Sequence, residues 1–187
     1  MNPTDIFLNA RNFLIGCRED YEAAYQGFRW PRLEFFNWAL DYFDVRARDD
    51  PRLALWVVDE SGEEVKRSFA QMSERSNQVA NFLRDLGMQR GDRLLVLLPN
   101  VVPLWEVTLA AIKLGVVISP TPAMLTSDDL QDRIERGNIR YAVADANGAK
   151  MLERFGDRVT CVVVGACGTS CTPYSDVDAE SAVFTPE

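Results

Sequence analysis

From residue 53 onward the apolar positions come in blocks of two different periods, separated by glycine. "LALWVVDESGEEVKRSF" has two β-prone runs around Asp59–Glu64, with Gly62 at the turn, and predicts a hairpin over 53–69. Next, Phe69, Met72, Val79, Leu83 and Leu86 recur at steps of three, four or seven, the face of an amphipathic helix. Ser68 and Gln71 form its capping box and Gly87 its stop. "RLLVLLP" then shows no alternation, so both its faces should be covered, as in a parallel strand between layers of helices.

The block repeats. "VVPLWEVTLAAIKLG" predicts a helix with Pro103 in its first turn and Gly115 at its end, apolar nearly all round except at Glu106 and Lys113. "VVIS" is a strand, and "TSDDLQDRIERG" a helix with Asp128 and Asp129 in its first turn and Gly137 at its end. "YAVAD", "NGAKMLERFG" and "VTCVVVG" give a further strand, a short helix closed by Gly156, and a strand. This alternation predicts an α/β fold: a parallel, doubly wound sheet with flanking helices. An aromatic-rich helical segment and the hairpin precede it. The expected division is a helical segment, 1–50, an α/β sub-domain, 51–165, and an irregular tail, 166–187.

In the first segment nine aromatics fall between Tyr21 and Phe43. Phe35, Trp38 and Tyr42, and separately Phe36, Leu40 and Phe43, fit helical spacing, so docking of this stripe on a larger body is expected. A ligand-stacking surface is the alternative. Past residue 165 no period is visible. An apolar helix at 101–114 left partly uncovered would favour self-association.

Composition removes function classes. The 187 residues suffice for one domain with a core, and 47% hydrophobic with 26% charged residues is a globular profile. A net charge of −8 argues against nucleic acid and anionic membranes, which select for clustered Lys and Arg. No apolar run approaches the roughly 20 residues of a membrane-spanning helix. "MNPTDIFLNARNF" lacks the basic start of a secretory signal, so a cytoplasmic location is expected. With no histidine, Ser-His-Asp and Cys-His nucleophiles and HExxH zinc sites are excluded. The four cysteines, Cys17, Cys161, Cys167 and Cys171, form no CxxC pair and read as free thiols, with no metal expected.

Ligands of such folds sit at the carboxyl ends of strands. Those ends are Pro99-Asn100, Pro120-Thr121-Pro122, Ala144-Asp145 and Gly165, and none carries GxGxxG or GxxxxGK[ST]. "GACGTSC", 165–171, has small residues after a strand but no Lys and no clear helix behind it, and reads as a loop. Arg90-Gly91-Asp92 reads as a connector into the first parallel strand rather than an adhesion motif.

"GDRLLVLLPN", Trp105 and "AAIKLGVVISP" resemble the amino-terminal part of adenylate-forming (AMP-binding) enzymes. The branch they resemble is that of medium-chain acyl-CoA synthetases and benzoate-CoA ligases, over roughly residues 35–165. The resemblance implies a partial large domain of that fold and a two-step ligase. ATP and a carboxylic acid give an acyl-adenylate on Mg2+, and coenzyme A takes the acyl group. Catalysis of this kind rests on phosphate positioning and charge stabilisation. The family's phosphate loop, approximately [ST]SG[ST][ST]GxPK, would follow "AVFTPE", where this sequence stops. No residue matches a catalytic residue of the family, and ATP, Mg2+ and coenzyme A are not expected to bind well to this chain alone. Thr121, Met124 and Thr126 are the candidate walls of the acyl or coenzyme A pocket.

The resemblance implies the remaining half of the ligase as partner, with no nucleic acid and no membrane. Two alternatives stay open. One is a non-catalytic interaction module or half of a split ligase. The other is a flavodoxin-like or receiver-like module binding Mg2+ at Asp145.

Overall fold

The computed structural model describes residues 2–122, 125–166 and 171–186. Helix α1 (Pro3–Gly16) starts on Asn2, whose side chain accepts from the Asp5 amide, and α2 (Tyr21–Gly27) starts on Asp20. Neither helix buries a residue. A π-helical turn (Trp38–Asp44) runs into a single turn, α3 (Val45–Ala47), and buries Ala39 and Ala47. Phe35 lies outside any helix and is 76% exposed, so the spacing of Phe35, Trp38 and Tyr42 is not realised as one stripe. Phe36 and Tyr42 instead pack against Phe7, with ring centroids 4.9 and 5.2 Å apart.

β1 (Leu53–Val58) and β2 (Glu64–Ser68) form the expected antiparallel hairpin. α4 (Phe69–Asp85) follows directly, with both halves of the Ser68–Gln71 capping box made. Then come β3 (Arg93–Leu97), α5 (Val102–Leu114), β4 (Val117–Pro120), α6 (Ser127–Gly137), β5 (Tyr141–Asp145), α7 (Ala146–Leu152) and β6 (Thr160–Val164). With the short β7 (Thr172–Pro173) they build one parallel sheet of order β4-β3-β5-β6-β7.

The chain winds to one side of β3 through α5 and returns past it through α6, which puts helices on both faces. Alternate residues of each strand serve opposite layers. Leu94, Val96, Val143 and Val162 belong to the core shared with α4 and α5. Leu95, Leu97, Ala142 and Val163 belong to the core shared with α6 and α7. On α5 only Trp105 is exposed, because α4, the π-helical turn and the sheet cover the rest. The expected uncovered apolar side of that helix is confined to this one residue.

Three helices close by the same device. Gly87 (φ +92°), Gly115 (φ +69°) and Asn138 (φ +45°) take the left-handed conformation, and the next amide returns to a carbonyl five residues back. For α6 this residue is Asn138 and not Gly137, which remains helical. The helix expected up to Gly156 also ends earlier, at Leu152, and continues as a 3₁₀ turn over Glu153–Arg158. Arg90-Gly91-Asp92 is indeed structural. Asp92 accepts from the Gln89 amide at 2.8 Å and pairs with Arg140 at 3.0 Å, and the Gly91 amide reaches Gly115 O.

Thr172–Pro173 pair with β6, and residues 174–185 are docked along α4, with a 3₁₀ turn (Tyr174–Ala179) that buries Tyr174 and Val177 in the first core. A two-residue strand and one short turn carry no detectable period, which is why the sequence showed none.

Candidate functional site

At the carboxyl end of β4, Thr121 is buried. Its amide donates to Val96 O at 2.9 Å, extending the ladder, and its hydroxyl donates to Ser119 O at 3.3 Å. Thr126 caps α6: its Oγ1 accepts from the Asp129 amide at 3.2 Å and donates to Asp129 Oδ2 at 2.6 Å. That hydroxyl, with the Thr126 amide, holds the exposed Asp129 carboxyl below its usual range. Met124, Cys167 and residues 168–170 of the glycine-containing loop lie outside the described residues. Both described threonine hydroxyls are thus engaged locally.

The other strand ends are similarly occupied. Asn100 accepts from Trp105 Nε1 at 3.2 Å, and Asp145 caps α7 by accepting from the Gly148 amide at 2.7 Å. α7 can approach β3 closely because residue 148 has no side chain: a Cβ there would lie 2.5 Å from Leu97 Cδ2. Among the described residues no group of three His, Cys, Asp or Glu side chains could hold a metal ion. Mg2+ in a nucleotide site would take one or two carboxylates with the phosphates, and the described strand-end carboxylate, Asp145, is engaged as the α7 cap. The described strand ends also offer no lysine for ATP phosphates, and no step through Mg2+ or ATP is derived from this chain.

Two clefts lie elsewhere. The larger, about 1170 Å³, opens at the amino ends of β3 and β4, between Phe35, Trp38, Arg84, Arg90, Gly115 and Phe184. It is at the opposite pole of the sheet from the strand ends where α/β ligand sites form. A smaller cleft of about 450 Å³ lies between α4, the start of α5 and the Tyr174–Ala179 turn.

Two buried polar clusters join the layers. Tyr174 Oη donates to Glu106 Oε2 at 2.7 Å, and Arg75 sits between Glu106 (3.6 Å) and Asp178 (2.7 Å). Burial, and then the Glu106 charge, push the phenol well above its ordinary value, so it is a neutral donor and not a base. In the second cluster, Lys113 Nζ is fully buried and donates to Asp44 Oδ2 (2.8 Å), Asn77 Oδ1 (2.6 Å) and Ser73 O (3.2 Å). Burial pulls the Lys113 ammonium below its usual value while Asp44 opposes that. Glu106 and Lys113 were visible in the sequence as the charges on an apolar helix, seven residues apart and so on one side of it. Their partners Asp44, Arg75 and Tyr174 come from three distant segments and gave no signal.

Residues 43–183 match the family model described as "AMP-binding enzyme". The chain is 40% identical over 116 residues to the rat acyl-coenzyme A synthetase ACSM2, covering 58% of this chain and 20% of that protein. Among solved structures it is similar in fold to the Brucella canis acyl-CoA synthetase, with TM-score 0.70 and 18% identity, over 77% of this chain and 28% of that one. A benzoate CoA ligase from Burkholderia xenovorans gives TM-score 0.64 and 22% identity, over 79% and 29%. The chain spans about a fifth to a quarter of the length of the curated relatives it matches. With most of its length matched to one family model, the chain belongs to the AMP-binding enzyme family.

Proposed function

We infer that this chain supplies the amino-terminal part of the large domain of an ATP-dependent acid–thiol ligase. Its substrate would be a medium-chain fatty or aromatic carboxylic acid, activated as an acyl-adenylate and passed to coenzyme A. The observation that carries the reading is the family match across residues 43–183. The chain spans only about a fifth to a quarter of the length of its curated relatives, which supports a second reading about this chain: by itself it is catalytically silent. The chemistry then belongs to a carboxyl-terminal partner segment, which is also where ATP, Mg2+ and coenzyme A would be held. Thr121, Met124 and Thr126 are proposed to shape a pocket wall, the two threonines without a free hydroxyl to offer. No described helix is long and apolar enough to cross a membrane. A cytoplasmic location is part of the proposal, supported by the free Cys17 thiol.

The test is ATP–pyrophosphate exchange by the purified chain, with octanoate or benzoate and Mg2+, followed by acyl-CoA formation on adding coenzyme A. The expected result is no exchange above a protein-free blank. Exchange that depends on the acid would overturn the silent reading. Co-expression with the carboxyl-terminal part of a related ligase tests the partner: a co-purifying, active pair is expected, and absence of both association and activity would overturn that assignment.

A further inference from the structure

One side of α4 is a ladder of hydrogen-bond donors turned toward another piece of backbone. Gln78 Nε2 donates to Glu180 O (3.0 Å), Asn81 Nδ2 to Ser181 O (2.8 Å) and Val183 O (3.0 Å), Asn77 Nδ2 to Ala182 O (2.9 Å), and Arg84 Nη1 to Thr185 O (3.0 Å). Every bond runs from a side chain to a main-chain carbonyl. Such contacts read an extended backbone and are indifferent to its side chains. Phe184 is the exception: its ring packs on the first core and lies 5.2 Å from the Arg84 guanidinium.

Asn77 belongs to two networks at once. Its Nδ2 holds the strap at Ala182, while its Oδ1 accepts from the buried Lys113 ammonium at 2.6 Å. An ammonium has only donors, so it forces the amide oxygen toward itself and the amide nitrogen toward the strap. Lys113 is in turn paired with Asp44 of the π-helical turn, whose other oxygen accepts from Ser73 Oγ at 2.7 Å. An unbroken polar chain, Asp44–Lys113–Asn77–Ala182, therefore runs from the amino-terminal segment to the carboxyl-terminal strap.

We propose that the polar side of α4 is a peptide-reading surface whose occupant is the strap 180–185, and that Lys113, acting through Asn77, sets how tightly the strap is held. Lys113 is here a positioning residue: it does not touch the strap but fixes the rotamer of the group that does. Strap docking and docking of the Asp44 turn are then coupled in the same direction. The proposal goes beyond the ligase reading and stands independently of it.

The experiment is chymotryptic cleavage after Phe184 in the full 187-residue chain, followed by loss of Thr185–Glu187 from the intact mass, with urea unfolding of the same variants. When reclosing is faster than cleavage, the rate reports the open population of the strap. Asn81→Ala, a direct contact, and Lys113→Met, an indirect one, are each expected to raise the rate roughly fivefold to tenfold, the worth of a hydrogen bond. Lys113→Met should add nothing in an Asn77→Ala background. Asn77→Asp separates positioning from general loosening. The carboxylate keeps the bond to Lys113 and strengthens the knot, but it cannot donate to Ala182 O and repels it. Cleavage should rise by a similar factor while global stability is kept or raised. Multiplicative effects of Lys113→Met and Asn77→Ala would overturn the proposal. So would cleavage rates that merely follow global stability across all variants, Asn77→Asp included.

Discussion

On one face of the sheet Leu94, Val96 and Val143 meet α4 and α5; on the other, Leu95, Leu97 and Ala142 meet α6 and α7. The strands are the same, but the two covers are built differently. Of the six buried polar or charged residues among the described ones, Ser73, Ser76, Asn81, Glu106 and Lys113 lie on α4 and α5, and Thr121 follows β4. Beneath α6 and α7 no buried charged residue occurs among the described residues. The second face needs only helices of the right shape that arrive by short connections. The first must also receive two segments from the far ends of the chain, the turn around Asp44 and the strap after Thr172. Apolar surface alone accepts many arrangements, whereas a buried charge accepts few, because leaving it unpaired is costly.

This difference is breakable, and the largest effect is expected at Lys113. Lys113→Ala strands Asp44 in a half-buried site and should cost about 3 to 5 kcal/mol of unfolding free energy in urea. Asp44→Leu combined with Lys113→Met should recover most of that loss. If Lys113→Ala cost no more than a surface change, the polar face would not be held as described. On the apolar face, Leu130 is fully buried. Leu130→Ala should cost about 3 kcal/mol, and no second-site charge change should rescue it.

The next effect is on pH dependence. The Tyr174 phenol is raised in the folded chain relative to its ordinary value of 10.0. The folded state therefore retains this proton after the unfolded state has lost it. Its contribution to stability is complete below pH 10 and falls above it, by about 1.4 kcal/mol for each pH unit. Lys113 is shifted down from 10.5, so its contribution acts oppositely and rises as the pH approaches that value. Urea midpoints measured between pH 9 and 11.5 should drop at the alkaline end, and Tyr174→Phe should flatten the drop. The smallest effect is expected at the exposed Arg136–Asp132 pair beside the apolar core, where Arg136→Ala should cost less than about 0.5 kcal/mol by thermal unfolding.

The hairpin, the capping box at Ser68, the parallel strands and their doubly wound arrangement were all legible in the amino-acid sequence. Each is written in a local period or in one or two residues with special backbone demands. So was the family, through "GDRLLVLLPN" and "AAIKLGVVISP". The candidate pocket residues were legible only as positions at a strand end. The chain's own geometry engages Thr121 and Thr126 in local hydrogen bonds, a use that residue type alone does not reveal. The aromatic spacing of Phe35 with Trp38 and Tyr42 misled, because spacing describes a helix only where the backbone forms one, and the π-helical turn begins at Trp38.

By itself the sequence determined the hairpin, the alternating strands and helices between residues 53 and 164, and the two-sided burial of β3, since these are written in local periods. Tertiary structure alone decided that Lys113 would meet Asp44, that Glu106 would meet Tyr174, and that residues 180–185 would lie along α4. Those contacts join residues 68 or more positions apart. The two α5 contacts exist because burying the apolar face of α5 leaves its two charges no water, and partners from the ends of the chain join Ser73, Arg75 and Asn77 of α4 in replacing it.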